Sequence, residues 1–135
     1  MRSIEMSVPL WGLCVFIIWT MAIAILLIAV RLRHLQQGGS VTDFGDPTGN
    51  KLLWRVFRSQ ANCVENLPLY AGVVLLLEVR EIGNGAIDAL VAIYIGFRLL
   101  HSLIHIFGFN PNFRVACLGV QFACLLGLMG LAIAL

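Results

Sequence analysis

From Met6 to Val30 the chain carries no charged residue. At about 1.5 Å of rise per residue, a helix over this run reaches across the roughly 30 Å hydrocarbon core of a bilayer. It ends at Arg31-Leu32-Arg33-His34. A cleaved leader is the competing reading, with Arg2 as its basic segment and Ala22-Ile23-Ala24 as a cleavage site. The apolar run is too long for that, so it reads as a retained first span.

Three further apolar segments follow, and together they predict an all-α, four-helix integral membrane bundle. One domain covers residues 1–135, with spans at about 7–33, 51–79, 86–107 and 113–135. Composition agrees: 12% of the residues are charged and 60% are hydrophobic. A soluble domain carries about 25% charged residues, and so few charges cannot cover a water-facing surface. A net charge of +2 without a basic tail argues against a nucleic-acid partner. Cys14, Cys63, Cys117 and Cys124 form no C-x-x-C pair and read as packing residues within apolar helices, not as metal ligands.

The segment from Gln36 to Asn50 is rich in turn formers and reads as loop 1, with Asn50 as the expected N-cap of the second helix. Pro68 falls inside that helix and is expected to kink it. Residues 80–85 form a short loop 2, and Gly108 to Asn112 form loop 3. Basic residues flank loops 1 and 3: Arg31, Arg33, Lys51, Arg55, Arg58 and Arg114. Around loop 2, Glu78, Glu81 and Asp88 face Arg80 alone. The positive-inside rule therefore predicts loops 1 and 3 in the cytoplasm and both termini on the opposite side.

Ionisable groups at membrane depth cost about 2.5–3.5 kcal/mol each on insertion scales, so their spacing is informative. Arg55, Arg58, Asn62 and Glu65 recur at three, four and three residues and share one face of the second helix. Arg98, His101 and His105 recur at three and four on the third. The short loop 2 makes these helices antiparallel neighbours. Arg31 and Arg114 arrive at the same level from the first and fourth helices. The expected result is a cationic pocket with Glu65 inside it. Glu65 could instead be a structural ion-pair partner of Arg98 or Arg58. Arg33 and Lys51 read as interface anchors. The His101–His105 spacing would also suit a metal or haem, but one helical pair without further ligands falls short of a site. Excess arginine calls for an anion.

The stretch Arg55-Val-Phe-Arg58-Ser-Gln-Ala-Asn62-Cys-Val-Glu65-Asn66-Leu67-Pro68-Leu69 resembles the signature of the MAPEG family, the membrane-associated proteins in eicosanoid and glutathione metabolism. That signature reads R-x-x-R-A-x-x-N-x-x-E-x-x-P-L in outline. Val30-Arg31-Leu32-Arg33, Arg98-x-x-His101-x-x-x-His105 and Arg114 also resemble family members. The resemblance implies a homotrimer of four-helix subunits that binds glutathione between subunits near the cytoplasmic face. It implies conjugation of glutathione to lipid-soluble electrophiles or reduction of lipid hydroperoxides, with a non-catalytic lipid-binding scaffold of the same fold as the alternative. A third reading is a small membrane subunit whose buried charges serve assembly with a partner. Carried over by position, Arg31, Arg58, Asn62, Glu65, His101 and His105 are glutathione-binding candidates. Glu65 would meet the amino group and arginines the carboxylates. Arg114 is the catalytic candidate that steadies the thiolate, and Arg55 and Arg98 support the site. The chain departs from relatives at Gln60, Ala61, His105 and Val115, where some members carry histidine, arginine, tyrosine and serine. Those changes bear on the reaction, not on the fold.

Overall fold

The starts of the first, third and fourth helices and the ends of the second and third are closed by local chemistry that the sequence carries beside them. The computed structural model describes residues 5–43 and 51–135. Its helices are α1 (Val8–Gln36), α2 (Lys51–Val79), α3 (Gly85–Phe107) and α4 (Pro111–Ala134). All four are long and apolar enough to cross a membrane. The expected N-cap Asn50 lies outside the described residues.

At the start of α1, the Ser7 hydroxyl accepts from Leu10 N at 3.3 Å, and Pro9 follows where a missing N–H costs nothing. The helix runs three residues past Arg33. Arg33 and His34 occupy its last turn, where positive charge meets the carbonyl end of the helix dipole. α3 begins at Gly85 because Asn84 caps it, its side chain accepting from Ile87 N at 2.9 Å. α4 begins at Pro111, two residues before the expected start, because Asn110 caps it with Pro111 at the first helical position.

The turns are equally specific. After α2, Glu81 takes φ +56°, and Ile82 N donates to Leu77 O at 2.9 Å, a Schellman closure with a non-glycine residue at the left-handed position. α3 closes the same way through Gly108 at φ +72°, with Phe109 N donating to Ile104 O at 3.1 Å. α2 continues through Pro68, whose ring leaves the Val64 carbonyl without its helical donor.

α2 and α3 form the centre. α1 packs on both of them from one side and α4 packs on both from the other, and α1 and α4 do not touch among the described residues. The core between α1, α2 and α3 is aromatic. Tyr70 and Tyr94 stack at 5.0 Å and 3°, and Phe16 leans on both at 5.9 and 6.1 Å. The Tyr70 hydroxyl donates to the Pro9 carbonyl at 2.9 Å. Ser7 donates to the Glu78 carboxylate, and Arg80 donates to the Ala132 carbonyl, so the termini are tied to the loop 2 end. The outside of the bundle is apolar: Ile18 and Ile25 on α1 are each 67% exposed, and Phe122 and Leu126 on α4 are 56% and 60% exposed. In water such ridges would aggregate, whereas in hydrocarbon they are simply solvated.

Gly12 permits the α1 contact. A Cβ there would overlap the Tyr70 hydroxyl and lie 2.9 Å from Val91 Cγ1. Gly12→Ala is therefore expected to lower stability by about 1–3 kcal/mol, the range for overpacking a filled site. Thermal unfolding in detergent measures it. An unchanged midpoint would mean that α1 is not seated on Tyr70.

Candidate functional site

Toward the loop 3 end the interior changes character. The face of α3 turned into the bundle carries Arg98, His101, Ser102 and His105, all buried. α3 touches all three other helices, so its polar face is shielded from lipid by protein.

Arg98 is 1% exposed. Its Nη1 donates to Asn62 Oδ1 at 2.8 Å, the link between α3 and α2. Asn66, one turn further along α2, donates to the same oxygen at 2.9 Å and to the Asn62 carbonyl at 2.8 Å. Two donors on one oxygen fix which way the Asn62 amide faces. Arg98 Nε and Nη2 are buried without a partner among the described residues. Next to this link, Cys63 Sγ lies 3.4 Å from Ser102 Oγ, and Ser102 donates back to the Arg98 carbonyl at 3.2 Å.

α4 engages the same face. Arg114 Nη1 is 3.2 Å from His105 Nε2. Gln121 Nε2 is 3.3 Å from both His101 Nδ1 and the Phe97 carbonyl. The two imidazoles stack at 6.3 Å and 11°, and the Trp54 ring leans on His105 at 6.1 Å. Arg55 Nε donates to the Ile106 carbonyl at 2.9 Å, a cation placed on the carbonyl end of α3. The Arg31 guanidinium sits over the Phe57 ring at 5.8 Å, joining α1 to α2.

The α2 face is thus divided. Arg55 and Asn62 turn inward, whereas Arg58 and Glu65 lie exposed on the outer edge of the helix. The expected Glu65 pairing with Arg98 or Arg58 does not form. Arg98 takes Asn62 instead, and Glu65 has no ion pair or hydrogen bond among the described residues. Spacing explains this, because a broad polar arc on one helix straddles the line where the bundle interior ends.

Arg55, Arg58, Arg98 and Arg114 make no salt bridge among the described residues. Arg114 also stands in the first turn of α4, at the positive end of the helix dipole, where a cation is disfavoured by about 0.3–1 kcal/mol. The histidine lone pairs that a metal would need are those facing Gln121 and Arg114, and no three His, Cys, Asp or Glu side chains converge among the described residues.

Gln121, Ser102, Asn66 and Trp54 contribute to this cluster, and the sequence pattern assigns none of them a role. Gln121 had a signal: it is the one strong polar group of its span below the first turn and lies seven residues, or two turns, after Arg114. A separate groove of about 490 Å³ lies between the end of α1 and the start of α2, lined by residues including Val30, Arg33, His34 and Leu52. None of the α3 and α4 cluster lines it. Just outside α1, the His34 contact at 2.9 Å holds the Asp43 carboxyl below the usual carboxylate range.

A sequence profile described as the MAPEG family matches residues 9–134, nearly the whole chain. Comparison with curated proteins gives no match.

Asn62→Ala removes the one described partner of a buried guanidinium. A hydrogen bond to a charged group contributes about 1.5–3 kcal/mol, and chemical unfolding in micelles is expected to show a loss of that size. A loss below about 0.5 kcal/mol, the scatter of ordinary surface substitutions, would mean that Arg98 is satisfied by something other than Asn62.

Proposed function

Since the chain belongs to the MAPEG family, and so is a multi-pass membrane protein of glutathione and eicosanoid metabolism, we propose that it is a glutathione-dependent transferase or peroxidase acting on lipid-soluble electrophiles or hydroperoxides. The observation that carries this reading is uncompensated positive charge. Four arginines cluster at one end of the bundle with no salt bridge among the described residues. Buried or interfacial guanidinium groups are stabilised by anions, and glutathione brings two carboxylates and an ionisable thiol.

In this reading Arg31 and Arg58 receive the carboxylates. Glu65 receives the amino group, and Asn62, His101 and His105 complete the hydrogen bonding. Arg58 and Glu65 face outward from the subunit, which suits a homotrimer whose sites lie between subunits near the cytoplasmic face. Arg55 and Arg98 hold the helices that carry these groups.

The chemistry needs a thiolate. A free thiol has a pKa of about 8.5 and is mostly protonated at neutral pH. A guanidinium beside the sulfur favours the charged form, and the low dielectric of a shielded site strengthens that attraction. Arg114 fills this role. One of its nitrogens engages His105 at 3.2 Å, and a guanidinium has five donors. The second substrate arrives through lipid, where apolar electrophiles concentrate. The protein supplies position and charge and needs no nucleophile of its own.

Arg114→Ala is expected to leave glutathione affinity largely intact while raising the pKa of the bound thiol by about one unit or more, equal to about 1.4 kcal/mol per unit. Turnover should fall and its pH optimum should rise. The ultraviolet thiolate signal of bound glutathione across a pH series gives the comparison. Coincident titrations for wild type and variant would make Arg114 an interface anchor and leave the thiolate to another group, with Arg31 or Arg58 next in line.

A further inference from the structure

The two contacts that α4 makes with the α3 histidines fix where their protons sit. A guanidinium has donors and no acceptor. Arg114 Nη1, 3.2 Å from His105 Nε2, therefore donates, and His105 Nε2 is the lone-pair nitrogen. Gln121 is constrained through a third group. Its Nε2 is 3.3 Å from the Phe97 carbonyl oxygen, which can only accept. Turning the amide over would set two oxygens against each other, so the NH₂ end faces Phe97, at the cost of leaving Gln121 Oε1 buried without a partner among the described residues. That nitrogen has a second proton, and it is 3.3 Å from His101 Nδ1. His101 Nδ1 is therefore the lone-pair nitrogen, and a neutral ring then carries its proton on Nε2. The stacked pair holds opposite tautomers: Nε2–H on His101 and Nδ1–H on His105.

We infer that Gln121, 1% exposed in the interior of α4, is a positioning residue that fixes His101 as a neutral Nε2–H hydrogen-bond donor. His101 Nε2 has no partner among the described residues. Its proton is what this ring offers to an acceptor on a bound ligand, of carboxylate or amide-carbonyl chemistry. The same arrangement withdraws both histidines from base catalysis. A proton added to His101 must go to Nδ1 and displace the Gln121 amide. A proton added to His105 must go to Nε2 and meet Arg114. Neither histidine therefore takes the thiol proton. The ligand half of this inference rests on the glutathione reading, whereas the tautomer half does not.

The test is side-chain ¹⁵N spectroscopy of histidine-labelled full-length protein in lipid nanodiscs, without glutathione. The chain has three histidines, so single substitutions assign the signals. Wild type should show a protonated Nε2 with an unprotonated Nδ1 on His101, and the reverse on His105. Gln121→Glu replaces the donating NH₂ with an acceptor, so His101 should gain a proton on Nδ1. Gln121→Met should leave His101 in a mixture of tautomers. A wild-type His101 protonated on Nδ1, or a His101 spectrum unchanged in both variants, overturns the inference. Should neither variant fold, the wild-type spectrum still decides the tautomer. Glutathione titration of Gln121→Glu forms a second arm, with at least a tenfold loss of affinity expected. If wild type binds and the variant's tautomer switches without loss of affinity, His101 is not a ligand donor. If wild type binds no glutathione, the functional reading fails and the tautomer result stands.

Discussion

A guanidinium buried in the middle of an apolar bundle sets the terms for the polar half of this protein. Arg98 is 1% exposed and meets a single described side-chain acceptor, the Asn62 oxygen at 2.8 Å. A charge in such a place is expensive unless its donors are used. Its neighbours follow from that need. Asn66 holds the Asn62 amide in the accepting orientation, and Ser102 and Cys63 place small polar groups where α2 and α3 meet. The donors left over at Nε and Nη2 give the interior a residual positive character. In the proposed function, that character helps to attract an anionic ligand.

The bundle divides along its length between two kinds of packing. Near the termini and loop 2, the Phe16–Tyr70–Tyr94 cluster supplies apolar burial and ring contact, and Gly12 allows α1 to approach it closely. Toward loop 3, hydrogen bonds from α2 and α4 converge on α3. The aromatic end can be regarded as the rigid base, since close packing has one good arrangement. The polar end leaves groups with spare hydrogen-bonding capacity, as a binding site requires. α3 passes through both, and so a shift in the aromatic packing would move Arg98 and the histidines with it.

Much of this was legible in the sequence. The long uncharged run and the turn formers from Gly108 to Asn112 marked the helices because spans and turns have strong local requirements, whereas the Asn110 cap with Pro111 at the first helical position was read as part of the turn. The spacing of Arg98, His101 and His105 marked a polar face, and that face is indeed buried. Spacing did not reveal the direction of each residue relative to its neighbours. Arg58 and Glu65 share an arc with Asn62, yet they fall on the outside of the bundle while Asn62 falls inside. Periodicity gives phase about one helix axis and says nothing of where the next helix lies. The role of Gln121 was hidden for a related reason: one polar residue in the apolar length of a span points to no partner, and its meaning appeared only when α4 was set against α3.

In the proposed function, the charged and polar groups at the loop 3 end, with Glu65 on the outer edge of α2, form a site for glutathione. Calorimetric titration of the purified protein with glutathione, beside Glu65→Gln, tests it most directly. Glu65 is exposed on the single bundle, but in the proposed site between subunits it would pair with the ligand's amino group out of water. Removing one partner of such a pair costs about 2–5 kcal/mol, so saturable binding should weaken at least tenfold in a variant that remains folded. A folded wild-type protein that binds no glutathione, or a Glu65→Gln variant that binds it as tightly as wild type, would contradict the claim.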